Sequence, residues 1–277
     1  MAEPPPLAQQ PTQLDLFLDG QVAMLINEIV AGLTSGRPDD AQQALDRLRE
    51  RDPAHPDLAA LEGLCRANRT DLPVPKSVGA LIALIDEVQS SLFPAAQRLL
   101  GAAEAARALD PVWRRVADAA RTLALDGGDS TAALRYWVAR AHYRVGEHRE
   151  AFRLWLSLCW LDPAAFAGYA PTLPSSTLRE AWSAFERQPG FDPAADGEAH
   201  PARWFPAWLV LRERGLVHLF HEDEIPETGA AGRAVRRLLT LLPLERQGHS
   251  AELVRQRREL RQVSPAFFRH YLKVVGG

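Results

Sequence analysis

The chain has 277 residues, 47% apolar and 24% charged, a balance that predicts a folded body with a substantial core and excludes a wholly disordered chain. No apolar run approaches the ~20 residues needed to span a bilayer, and the N-terminus lacks a basic segment followed by an apolar core, so neither a membrane partner nor a signal peptide is expected. The net charge of -3 hides an asymmetry: residues 233–273 carry ten Arg/Lys against the three acids Glu245, Glu252 and Glu259, whereas the first 232 residues hold 22 basic and 32 acidic side chains.

In chain order, residues 1–18 read as a flexible tail, rich in proline and glutamine up to Thr12. Asp19 is placed to cap a helix from about Gln21 to Leu33, whose residues Leu25, Ile26, Ile29, Val30 and Leu33 fall on one face. A Ser35–Pro38 turn ends it. Asp39 or Asp40 opens a second helix carrying Ala41, Ala44, Leu45 and Leu48, which stops at Asp52-Pro53, where proline offers no amide donor and disfavours helix in the preceding residue. The arrangement recurs as a helix around Tyr136–Val145, a turn at Gly146, and a helix from about Arg149 to Leu161 that stops at Asp162-Pro163. A degraded third pair is expected over Val78–Val88 and Ala95–Leu109, closing at Asp110-Pro111. After Pro171–Pro174 a helix follows from Ser175 to about Gln188, and residues 189–202, with Gly190, Pro193, Gly197 and Pro201, read as a loop and domain boundary. Further helices are expected near Ala207–Phe220, Gly232–Leu242, Ala251–Val263 and Pro265–Val275. Strand signals are nearly absent. The expectation is an all-α fold, with a helical domain over 19–188 and a basic helical subdomain over 203–277.

Gly36, Ala41 and Pro53 are spaced by 5 and 12 residues, and Gly146, Ala151 and Pro163 repeat that spacing. Glycine permits a tight turn, a small alanine lets paired helices approach, and Asp-Pro ends the second helix. The pattern resembles the tetratricopeptide repeat, a 34-residue antiparallel helix pair. Trp155 stands where that family places a large core residue, Ala139 where it has a small one, and Tyr143 one residue beyond its aromatic position. The third pair departs from the pattern, lacking the turn glycine and carrying Leu99 at the small-residue position. Strict tandem repetition is absent. The resemblance implies stacked helix pairs, a TPR-like solenoid whose groove takes another protein.

Residues Gln13, Leu14, Asp15, Leu16 and Phe17 read Gln-Leu-Asp-Leu-Phe, which resembles the sliding-clamp-binding motif of bacterial polymerases and repair proteins. The resemblance implies that Leu16 and Phe17 enter an apolar cleft on the clamp, with Leu14 a further contact. Gln13 would satisfy polar groups at the rim and Asp15 would stay solvated. The residues themselves leave another reading open. Leu14, Leu16 and Leu18 alternate with Asp15 and Asp19, as an extended arm with one buried face would, and the hydrophobes would then staple the arm to the helical body.

Other constellations carry less. His218 and His221 stand one helical turn apart, followed by Glu222, Asp223 and Glu224, but no further ligands are signalled and no metal is expected. No phosphate loop, nucleophile elbow or Cys-x-x-Cys pair is present, so neither a catalytic residue nor a cofactor is assigned. Cys65 and Cys159 read as reduced core residues in a cytoplasmic setting. Trp204, Phe205 and Trp208, beside Arg203, and Phe267, Phe268 and Tyr271, beside Arg269, are either core or base-stacking clusters. Among Arg255, Arg257, Arg258 and Arg261, the set Arg255, Arg258 and Arg261 steps by three along one helix. Such a face meets nucleic-acid phosphates, the protein's own acidic body, or only solvent. These readings converge on a non-enzymatic interaction factor tethered to a sliding clamp near DNA replication or repair. The alternative is a TPR-like adaptor for an unrelated protein, with residues 13–17 packed as an arm.

Overall fold

A computed structural model describes residues 13–123, 131–220 and 224–276, with side chains of the first helix from Gly20 onward. Among the described residues the chain is helical throughout, with no strand. It divides into two compact units, Met1–Leu123 and Ala124–Gly277, and not at the expected 189–202 boundary.

The first unit opens with α1 (Gln13–Thr34) and α2 (Pro38–Arg51), an antiparallel hairpin. Gly36 makes the turn at φ 67°, a conformation side chains resist, and the Arg37 N–H donates to the Gly32 carbonyl at 2.8 Å. The helices touch at Gly32, where a Cβ would lie 2.8 Å from the Ala41 backbone nitrogen. Leu25, Ile29 and Leu33 bury against Ala44, Leu45 and Leu48. The helix begins eight residues earlier than the sequence reading places it. Gln, Leu and Phe are adequate helix formers, and Gly20 costs only about 1 kcal/mol in a 22-residue helix, so the helix-start signal at Asp19 is overridden.

After α3 (Leu58–Ala67), α4 (Val78–Glu87) and α5 (Phe93–Leu100) are joined by a π-helical turn, Val88–Leu92. The cause is Pro94, which cannot donate and crowds the preceding turn. The coil widens and the Phe93 N–H donates to the Val88 carbonyl. The expected pair of separate helices is therefore one continuous stretch, Val78–Leu100, the single stretch among the described residues long and apolar enough to cross a bilayer. This corrects the expectation that none exists. Its buried residues Leu81, Ile85, Val88, Leu92 and Ala96 recur every three or four positions. They form the narrow stripe of a helix packed on one side, and α4 packs on α7 (Asp110–Leu123). In chain order α6 (Ala102–Ala108) lies between α5 and α7. Asp110-Pro111 opens α7 and does not close a helix, because proline fits a first helical turn as well as it ends one.

The second unit begins with the hairpin α8 (Ala132–Arg144) and α9 (His148–Leu161). Gly146 turns it at φ 86° and the Glu147 N–H donates to the His142 carbonyl at 2.9 Å. α10 (Pro163–Tyr169) and α11 (Ser176–Arg187) follow, each N-capped by a side chain, Asp162 and Ser175. Phe166, Trp182, Phe185, Phe205 and Trp208 form one aromatic cluster with ring centroids 5.1–6.2 Å apart, which seats α12 (Phe205–Arg212). α13 (Ala230–Gln247), α14 (Ala251–Val263) and α15 (Pro265–Val275) complete the unit.

Residues 189–202 are stitched into this unit. Phe191 packs edge-on against Trp204 and Phe267. Asp196 accepts from the Ser264 hydroxyl at 2.5 Å, and Glu198 accepts from the Ala231 N–H at 2.9 Å. Glycine and proline here mark an irregular path over the core instead of a linker between bodies.

Candidate functional site

The two hairpins align position for position along the sequence at an offset of 110 residues. Gly36, Ala41, Asp52 and Pro53 correspond to Gly146, Ala151, Asp162 and Pro163. Asp52 and Asp162 adopt nearly the same backbone angles, φ -138° and ψ 77° against φ -147° and ψ 79°. Each donates its N–H four residues back, to Leu48 and Leu158. α2 and α9 are both 14 residues long. α1 and α8 differ: α8 starts at Ala132, the counterpart of Val22, so the stretch 13–21 of α1 has no counterpart. With Glu28 paired to Arg47 at 2.5 Å and Gly32 against Ala41, the antiparallel register brings the end of α2 level with residues 22–24. The stretch 13–21 runs past it. All five residues of the clamp-like motif, Gln13–Phe17, lie on this extension. Gly20, at its root, has open space around it, with nothing within 4 Å of a Cβ built there.

Each hairpin also leaves a cleft at its open end, and the clefts use equivalent positions. The first, about 420 Å³, is lined by Gln21, Met24, Leu25 and Glu28 of α1 and by Arg47, Glu50 and Arg51 of α2. The second, about 290 Å³, is lined by Arg135 of α8, by Arg153, Ser157, Trp160 and Leu161 of α9, and by Glu224 and Pro226. Leu25, Arg47, Glu50 and Arg51 thus become Arg135, Ser157, Trp160 and Leu161. A charged rim over an apolar floor is exchanged for an apolar rim over a buried arginine. Leu161 is 59% exposed, and Arg153 is held by ion pairs to Glu150 and Glu224. The sequence reading missed both clefts. Aligning the hairpins and comparing the last turns of α2 and α9 would have exposed the change.

The basic C-terminal helices sort into two kinds of cation. Glu245 accepts a bidentate pair from Arg257 at 2.8 and 2.9 Å and a hydrogen bond from Tyr271. Glu252 binds Arg255 through 2.7 and 2.8 Å contacts. Hydrogen bonds from Arg255 and then Gln256 hold its carboxyl down to about 2. Glu259 takes Arg237 at 2.8 Å and Arg255 at 3.6 Å. Arg255 therefore sits between two carboxylates and drops out of the expected phosphate-binding face. Arg258 and Arg261 are exposed, with no ion pair among the described residues.

The aromatic clusters are core except for Phe268, which is half-buried. Trp204, Phe205, Phe267 and Tyr271 are fully buried and Trp208 nearly so, which leaves those rings no face for a base. His270 is buried against Phe191 and Phe267. Burial, with Arg212 and Lys273 nearby, lowers its pKa to about 4, so it is neutral near pH 7. Cys65 and Cys159 are buried; desolvation pushes the Cys65 thiol up to about 12 and the Cys159 thiol well above its usual value. His218 lies in the 3-10 turn Arg214–Leu219, and its carbonyl accepts from Arg149 at 3.2 Å. Its expected neighbours His221, Glu222 and Asp223 fall outside the described residues. Among the described residues no group of three or more His, Cys, Asp or Glu is placed to hold a metal. No family model, curated protein or solved structure matches this chain.

Proposed function

We propose that this chain is a non-enzymatic binding factor tethered to a sliding clamp of the bacterial kind through Gln13–Phe17, working near DNA replication or repair. The observation that supports the reading is the nine-residue extension of α1 beyond the repeated hairpin, which carries the whole motif. An arm serving only to close the hairpin would not need to outrun α2, and the α8–α9 hairpin forms without one. At about 100° per residue, position 16 falls on the opposite side of the helix from buried position 25, whereas positions 14 and 18 fall in line with it. Ordering or remodelling the segment on the clamp costs free energy and keeps affinity moderate.

The test is binding of the purified chain to a bacterial sliding clamp, beside a Leu16→Ala/Phe17→Ala variant whose fold is checked by circular dichroism. The expected outcome is micromolar binding that the folded variant loses. Absence of binding, or a variant that unfolds, would return residues 13–17 to the hairpin.

A second reading rests on the α9 cleft. A TPR-like adaptor would use Trp160 and Leu161 to seat an apolar side chain of a partner protein, with Arg135 and Arg153 beneath it. Leu161→Glu separates the two readings, since it would abolish adaptor binding and leave clamp binding unchanged.

A further inference from the structure

Residues 233–273 carry ten cations and three acids, and the structure shows which of them cancel. Arg237 and Arg255 pair with Glu259, Arg255 also with Glu252, and Arg257 with Glu245. Arg236 is held by the Ile225 carbonyl and lies 3.9 Å from Glu227. Every acid of the segment is thereby used within it. Arg233, Arg246, Arg258, Arg261, Arg269 and Lys273 remain exposed with no carboxylate partner among the described residues.

Four of these six group as two pairs on consecutive helices. Arg258 and Arg261 lie three apart on the exposed side of α14, and Arg269 and Lys273 lie four apart on the exposed side of α15. Residues three or four apart on a helix are neighbours, about 5–6 Å between Cβ atoms. A single residue, Ser264, separates the helices, and its hydroxyl caps α15 through the Phe267 N–H at 2.9 Å. Tyr271 fastens α15 to Glu245 of α13, which also holds Arg257 of α14, so the two pairs ride on braced helices and not on loops.

From this we infer that the outer faces of α14 and α15 are a docking surface for the phosphate backbone of duplex nucleic acid. Arginine predominates in the set, and its planar fork matches phosphate oxygens. Of the aromatic rings on α15, Phe267 and Tyr271 are fully buried, and Phe268 is half-buried with its ring stacked on Tyr271. The surface therefore has charge but little for bases to stack on, which fits a duplex with its bases hidden better than a single strand. The inference stands on the ion-pair pattern and does not need the clamp reading. A clamp-tethered factor would gain from it, because a clamp encircles duplex.

The test is fluorescence anisotropy of the full chain with a short labelled duplex, a single strand of the same sequence and polyglutamate as competitor, over a salt series. Duplex binding is expected at low salt, with log K falling against log salt by up to about 3–4, since each neutralised phosphate contributes ~0.9. Arg258→Ala/Arg261→Ala/Arg269→Ala/Lys273→Ala should weaken binding at least tenfold and flatten the slope. If that variant misfolds, the pair Arg258→Gln/Arg261→Gln serves, with about half the loss of slope. Arg114→Ala, an exposed arginine of the first unit, should change nothing. The inference is overturned if the duplex does not bind at low salt or if the variants bind as the parent does. Arg114→Ala acting equally, a single strand preferred over duplex, or polyglutamate displacing the duplex at equal charge would overturn it too; the last would assign the surface to an acidic protein.

Discussion

The hairpins α1–α2 and α8–α9 share turn, close contact and termination, yet one sequence fills them with aliphatic side chains and the other with aromatic ones. Leu33 and Leu45 correspond to Tyr143 and Trp155, and Gly32, where α1 touches α2, corresponds to His142, whose ring hydrogen-bonds Glu147 at 2.6 Å. Met24, 59% exposed, corresponds to Leu134 at 4%. A frame set by one glycine, one alanine and one Asp-Pro thus tolerates different fillings, because it depends on backbone geometry. What the frame does not dictate, the helix length and the chemistry of the open end, is where the two hairpins diverge and where binding is proposed.

The largest expected effect measures how much the fillings matter. Trp155 is fully buried, with Tyr143 and Phe152 at 5.6 and 6.1 Å, and Leu45 is buried at the equivalent place. Trp155→Ala should cost about 4 kcal/mol in the second unit and Leu45→Ala about 3 in the first. Trp155→Phe should cost under ~1.5 kcal/mol, since the indole N–H it removes has no hydrogen-bond partner in the core. Urea-dependent labelling of the buried thiols reads the units separately, Cys65 reporting the first and Cys159 the second. Equal costs for the two alanine variants would mean that the shared frame, and not the filling, sets stability.

The hairpins were legible in the sequence because the residues that make them act locally. Gly36 and Gly146 take positive φ, Ala41 and Ala151 permit contact, and α14 and α15 begin and end where serine, proline and periodicity put them. The clefts and the α1 extension were not legible. Asp19-Gly20 satisfies the local rule for a helix start, but stopping there would give up helix already nucleated behind it. Arg255, Arg258 and Arg261 look alike along the chain, and only the placement of Glu252 and Glu259 separates the first from the other two. Asp-Pro is equally two-sided. After Asp162 the chain continues into α10 and the carboxylate accepts from the Ala165 N–H at 3.0 Å. After Asp52 it turns, with no side-chain cap. Asp162→Ala should therefore cost about 1 kcal/mol and Asp52→Ala less than ~0.5, by the same labelling assay. Equal effects would show that Asp-Pro stabilises the preceding helix and not the one that follows.

The smallest effect bears on the extension that only the first hairpin has. Gly20 stands exposed in α1 with free space where a Cβ would be, so Gly20→Ala meets no obstruction and strengthens the helix by about 1 kcal/mol. It removes no atom that could touch a partner through Gln13–Phe17. If the motif must leave the helix to lie extended on a clamp, that added stability opposes binding, and affinity should fall about fivefold, the equivalent of 1 kcal/mol. If the motif binds as a helix, the same substitution preorganises it and affinity should rise by a similar factor. Calorimetric titration of the parent and Gly20→Ala against a clamp distinguishes the signs, and circular dichroism should show more helix in the free variant either way. A null result in affinity with increased helicity would place the binding determinant outside the extension, and the longer α1 would then serve only to border the cleft at Met24.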